Sequence, residues 1–124
     1  MAGESKNVNV QHISGTKDVS IAAAGTTTPA ISMGGSCILS LVYAAPDVNG
    51  YLTATASQTL DGTYQEVKKA DGTQWTYPTD ASSVTAVGSI GADAFKEFIG
   101  LGHVKLVASA AQTNGWTITA RITG

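Results

Sequence analysis

The chain has 124 residues, a formal charge of −2, 43% apolar residues and 13% charged residues. That length fits one compact domain, and charge at half the usual share of about 25%, on a chain that is not apolar-poor, excludes charge-driven disorder. With Lys and Arg totalling 7 against 9 acids, a polycation that holds nucleic acid through its charge is excluded as well.

The first residues, Met1 to Asn7, are polar and carry Glu4 and Lys6. They lack the apolar stretch of a secretory signal, so synthesis in the cytoplasm is expected. No apolar run approaches the roughly 18 residues of a membrane-spanning helix, so no membrane association is expected. Val8 and Val10 suggest an extended N-terminal arm over residues 1–18, with a single domain over 19–124. Val19 to Ala23 reads as the first core strand. Cys37 to Tyr43 is apolar on both faces apart from Ser40, the pattern of a central strand covered on both sides. Cys37 then reads as a buried, inert thiol, and a single cysteine excludes a disulfide framework.

Ala44 to Gly50 is turn chemistry. Leu52, Ala54 and Ala56 alternate with Thr53, Thr55 and Ser57, and Leu60 to Thr63 supplies a tight turn. Tyr64–Val67 and Gln74–Tyr77 flank a hairpin at Asp71-Gly72, and Val84–Val87 is a weak strand. In Gly91–Phe98 the two phenylalanines stand three apart, which fits one helical turn or entry into a strand equally well. His103–Ser109 sends Val104, Leu106 and Ala108 to one face. Trp116–Thr123 puts Trp116, Ile118, Ala120 and Ile122 on one face and Thr117, Thr119, Arg121 and Thr123 on the other. Asn114-Gly115 between these two segments predicts a closing hairpin, because both residues tolerate positive φ. About seven to nine short strands with turns between them predict an all-β fold, an antiparallel β-sandwich or jelly roll. No βαβ alternation and no internal repeat is present.

The 16 Thr, 11 Ser, 18 Ala and 14 Gly make up nearly half the chain. A core built from such small residues is thin, and association would add buried surface. His12 and His103 have no partner at metal-ligand spacing, so no metal is expected. Asp47 to Gly50 resembles part of a calcium loop, but the twelfth position is Gln58 rather than Glu, which favours a structural turn. No nucleophile elbow, paired-carboxylate cleft or glycine-rich phosphate loop is found, so neither enzymatic activity nor a cofactor is expected. Tyr64, Trp75 and Tyr77 gather around the Asp71-Gly72 hairpin. They would either close one end of the sandwich or offer ring faces to a sugar or a partner.

The stretch Ala56 to Val67 (ASQTLDGTYQEV), then Asp71-Gly-Thr73, then His103 to Ser109 (HVKLVAS) resembles small β-sandwich accessory proteins of tailed-phage virions, the capsid decoration (cement) and head-fibre components. It is also similar to carbohydrate-binding jelly rolls. The resemblance spans residues 36–124 and lies in turns and strands rather than in a signature motif. It implies a non-enzymatic structural protein on the virion capsid surface, made in the host cytoplasm. Such a protein would bind the major capsid protein, bridge neighbouring capsid subunits and associate as a homotrimer. The contact candidates on this reading are Val8, Val10 and His12 of the arm, with Tyr64, Trp75 and Tyr77. A carbohydrate-binding module with a glycan partner, or a fibre or tail subunit, is the alternative.

Overall fold

A computed structural model describes residues 14–34 and 38–123. Its strands are β1 (Ser14–Asp18), β2 (Gly25–Thr27), β3 (Ile31–Ser32), β4 (Ile38–Tyr43), β5 (Leu52–Ser57), β6 (Gln65–Glu66), β7 (Thr76–Tyr77), β8 (Gly88–Ile90), β9 (His103–Gln112) and β10 (Ile118–Thr123). A seven-residue 3-10 helix, Ala92–Phe98, kinked at Phe95 (φ −111°, ψ 19°), lies between β8 and β9. The strands form two antiparallel sheets. One has the order β1-β10-β4-β8; in the other β9 carries β2 and β3 on one side and β5 on the other, with β6 and β7 along the far edge of β5. This is the expected all-β sandwich. Among the described residues ten strands stand against an expected seven to nine, because five of them are only two or three residues long.

The period-two pattern builds the core between the sheets. In β10, Ile118 and Ala120 lie opposite Tyr43 and Leu41 of β4. In β5, Leu52 and Ala54 lie opposite Ala108 and Leu106 of β9. All eight side chains are buried. Strand β4 corrects one expectation. It is central in its sheet, but from Leu39 to Tyr43 burial alternates, with Leu39, Leu41 and Tyr43 covered and Val42 61% exposed on the outer face. An apolar run in so short a strand cannot distinguish burial on two faces from burial on one. Cys37 lies outside the described residues.

The Asn114-Gly115 turn is the larger correction. It does not close a hairpin, since β9 pairs only with strands of one sheet and β10 only with strands of the other. The turn carries the chain across the sandwich. Gly115 has φ 86°, and a Cβ there would sit 2.7 Å from the Ile21 carbonyl oxygen. Glycine is therefore required both by the left-handed conformation and by the approach of another backbone. The turn is fixed by Asp47, whose carboxylate accepts from the Asn114 backbone N–H at 3.0 Å. The Asp47–Gly50 segment is thus a structural turn, as expected.

Its anchor was not legible. Gln112 is fully buried and its amide is completely used. Oε1 accepts from the N–H groups of Asp47 and Val48 (3.0 and 3.1 Å), and Nε2 donates to the carbonyls of Val48 and Ala110 (2.8 and 3.0 Å).

Two weaker strand predictions also shift. Val19 and Ile21 are in the core, and the chain there still follows the 116–118 segment through backbone bonds from Val19 to Ile118 and between Ile21 and Trp116, but the ladder is interrupted at Ser20, whose hydroxyl accepts from the Ile118 N–H in place of a carbonyl. Val84 makes a single bridge to Gly50, and the strand forms later, at Gly88–Ile90. Of the segment read as an arm, residues 14–18 form β1 and pair along β10 from Ser14↔Thr123 to Asp18↔Thr119. The folded domain therefore includes at least five residues before Val19. Gly91–Phe98 resolves to the helical alternative, a 3-10 helix with Phe95 and Phe98 buried.

The end of β1 and two tight turns share one device. Asp18 Oδ1 accepts from the Ser20 hydroxyl and N–H (2.6 and 2.9 Å), and Asp71 Oδ1 does the same with Thr73 (2.6 and 2.9 Å). Asp80 Oδ1 accepts from the Ser82 N–H at 3.0 Å. These bonds favour the ionised form and hold all three carboxyls below their ordinary value of 3.8. A carboxyl depressed in the folded state contributes stability above its unfolded pKa, and that contribution is lost as pH falls through the folded value. The urea midpoint is therefore expected to fall between about pH 5 and about pH 2. Asp71→Asn, which keeps the turn but not the titration, should flatten part of that slope.

Candidate interaction site

The structure separates the residues that the sequence grouped. Val8, Val10 and His12 lie outside the described residues. Trp75 is 3% exposed. Its ring packs on Phe98 and Phe95 of the 3-10 helix, with centroids 4.8 and 5.6 Å away, and its Nε1–H donates to the Ala94 carbonyl at 2.8 Å. Of the two expected roles, closing the sandwich is the one it performs. It offers no ring face to a sugar. Tyr77 is half-buried against the core, where its hydroxyl meets that of Tyr43. Burial first, and then this contact, push the Tyr43 hydroxyl above its usual range. Tyr64 donates its hydroxyl to the Leu60 carbonyl at 2.8 Å, and the Lys105 ammonium stands 4.2 Å from its ring centroid. Lys105 is opposite Thr55 and beside the inward-facing Val104 and Leu106, so this cation–π pair belongs to the outer side of the sheet. The three aromatics therefore form no shared platform. His103 lies opposite Ser57 with its Nδ1 buried and without a hydrogen-bond partner among the described residues.

Beneath the hairpin is a cavity of about 340 Å³, which no single sequence segment announces. Four segments make it: the end of β5, the chain from Thr63 through β6 to Lys68, Glu97 of the 3-10 helix, and Leu101-Gly102 before β9. Gly102 brings the last of these close, since a Cβ there would stand 2.7 and 2.8 Å from the carbonyl oxygens of Gln58 and Ser57. Val67, Ala56 and Leu101 supply apolar lining, and Ala56 is too small to fill the space. Polar groups surround it. Glu66 is tied to Lys68 at 3.0 Å and to the Gln74 amide at 2.5 Å. Glu97, half-buried on the helix, has no hydrogen bond or ion pair among the described residues. The one trace in the sequence is Gln65 standing two residues before Val67, on the same side of the strand.

A second surface is the outer face of the four-stranded sheet. The register sets Thr119, Val42 and Ser89 side by side across β10, β4 and β8. Beyond them the Ala44 N–H donates to the Thr117 carbonyl, which continues the pairing of β10 with the chain after β4. Val87, just before β8, is 73% exposed. This face combines β-branched and small side chains, with two charges, Asp18 on β1 opposite Thr119 and Arg121 on β10 between Thr16 and Ser40. The predicted Thr-rich face of β10 is part of it.

No model of a known protein family matches the chain, and no curated protein matches it in sequence. Among solved structures, the crystal structure of the SPBc2 prophage-derived protein YomS is similar, with 13% identity, a TM-score of 0.50, and coverage of 95% of this chain and 100% of that one. At that identity the likeness is one of fold, and it extends over almost the whole of both chains.

Proposed function

We propose that the chain is a non-enzymatic structural protein of a bacteriophage particle, and that it decorates the capsid by bridging neighbouring shell subunits. The observation that carries this reading is the two-sheet fold shared along nearly its full length with a prophage-derived protein. The outer face of the four-stranded sheet supplies the surface. The part of that face around exposed Val42 and Val87 carries no charge, so a partner that covers it and leaves Asp18 and Arg121 at the margin avoids desolvating a charge, which is the chief cost of burying polar surface. Each seam covered in this way favours the assembled shell through mass action. A homotrimer would present three such faces at once and gain avidity.

The test uses gradient-purified particles from the source cells. An antibody to the chain should label the particle surface, and the chain should be present at a fixed ratio to the major shell protein. Absence from particles, with the chain left in the soluble fraction, overturns the reading. Light scattering of the pure protein should give the mass of three chains, and a monomer removes the trimer. Val42→Asp buries a charge at the proposed seam, so it should lower particle binding at least tenfold while far-UV dichroism stays unchanged. Truncation to test an arm should stop at residue 13, because residues 14–18 are β1 and cover the edge of β10.

A further inference from the structure

We propose that the cavity between β6, the end of β5 and the 3-10 helix is a recognition pocket for an arginine side chain presented by a partner protein. Its lining has the two parts such a side chain needs. Val67, Ala56 and Leu101 can cover the aliphatic stem, which arginine buries readily while keeping its head polar. Glu97 can take the head.

Three observations favour a cation at this point. First, Glu97 lines the cavity half-buried and without a partner among the described residues, in a chain with only 13% charged residues. Partial burial of a lone carboxylate is unfavourable until a counter-charge arrives. Second, the nearby cation is already committed, since Lys68 pairs with Glu66, whose second oxygen is held by Gln74. Third, Gln58 and Gln65 also line the cavity and their side-chain amides make no hydrogen bond among the described residues, so the amide oxygens are available acceptors. A guanidinium is a planar fork with five donors and can meet a carboxylate and a flanking amide together. An ammonium is a point charge without that shape. A volume of about 340 Å³ accommodates one such side chain rather than a folded segment.

The inference rests on the contact reading only for the identity of the partner. The pocket can be tested without one. The probe is N-acetyl-arginine amide, titrated into the ¹⁵N-labelled protein, with N-acetyl-citrulline amide as the uncharged isostere. Arginine should shift the amides of Val67, Leu101 and Gly102 along a saturable curve. Citrulline should bind at least tenfold more weakly, and the lysine derivative should lie between them.

Glu97→Gln should weaken arginine binding at least tenfold. Ala56→Leu, which fills the floor, should abolish it, with strand dispersion preserved in both spectra. If arginine causes no saturable shift, if citrulline matches it, or if Glu97→Gln leaves the curve unchanged, the proposal is overturned. A pocket that behaves as expected in a chain absent from particles would retain the inference and remove the virion reading. The opposite pair of results would do the reverse.

Discussion

Gln112→Ala should lower the unfolding free energy by about 3–5 kcal/mol, read as a lower urea midpoint at unchanged slope. The side chain is fully buried, and its amide makes four hydrogen bonds, three of them to the backbone of Asp47 and Val48. Truncation removes the partner of two N–H groups and two carbonyls where water has little access, each at a cost of about 1–3 kcal/mol, reduced where the loop can open to solvent. The same loop holds the 113–115 turn through Asp47 and Asn114, so the crossing between the sheets should loosen with it. Gln112→Met separates the two contributions. Methionine restores most of the volume but none of the hydrogen bonds, and should recover less than half of the loss. Full recovery by Met would show that packing, not hydrogen bonding, is the anchor.

Trp75→Ala should cost a similar amount, about 3–5 kcal/mol, from the cavity left by the indole. Trp75 joins the 68–74 hairpin to the 3-10 helix through its contacts with Phe95 and Phe98 and its bond to the Ala94 carbonyl. Both are walls of the cavity. Hydrogen exchange should therefore accelerate at residues 94–101 well before the sheets open. Trp75→Phe keeps most of the packing and loses the Nε1–H bond, for about 1–2 kcal/mol. A stable, fully protected Trp75→Ala protein would show that the indole is peripheral to the core.

The alternation from Trp116 to Ile122 and from Val104 to Ala108 was legible because burial on one side writes itself into every second residue. What alternation does not contain is the identity of the neighbouring strand. Asn114-Gly115 has the local chemistry of a hairpin, yet the Ile21–Trp116 bridge and the Asp47–Asn114 bonds draw the following strand into the other sheet. Tertiary pairing outweighed the turn propensity. Gln112 was invisible for a related reason. A buried glutamine looks like a surface glutamine until its loop partner, more than sixty positions earlier, is known. Of the site residues, Trp75 was legible as an end closure, while the cavity was not, since it is assembled from four segments that carry no common pattern.

The crossing at 113–115 also sets the order in which the fold can be completed. β9 is an interior strand of one sheet and β10 of the other, and they are the last two strands in the chain. A nascent chain that has not yet delivered them holds β2 and β5 without their shared neighbour, and β1 and β4 without theirs. Neither half can be finished early and used as a template for the other. Such a chain gathers both sheets late and almost together, through contacts distant in sequence, which is the topology of a slow folder. Loss of β10 would therefore be felt across the whole domain rather than at one edge.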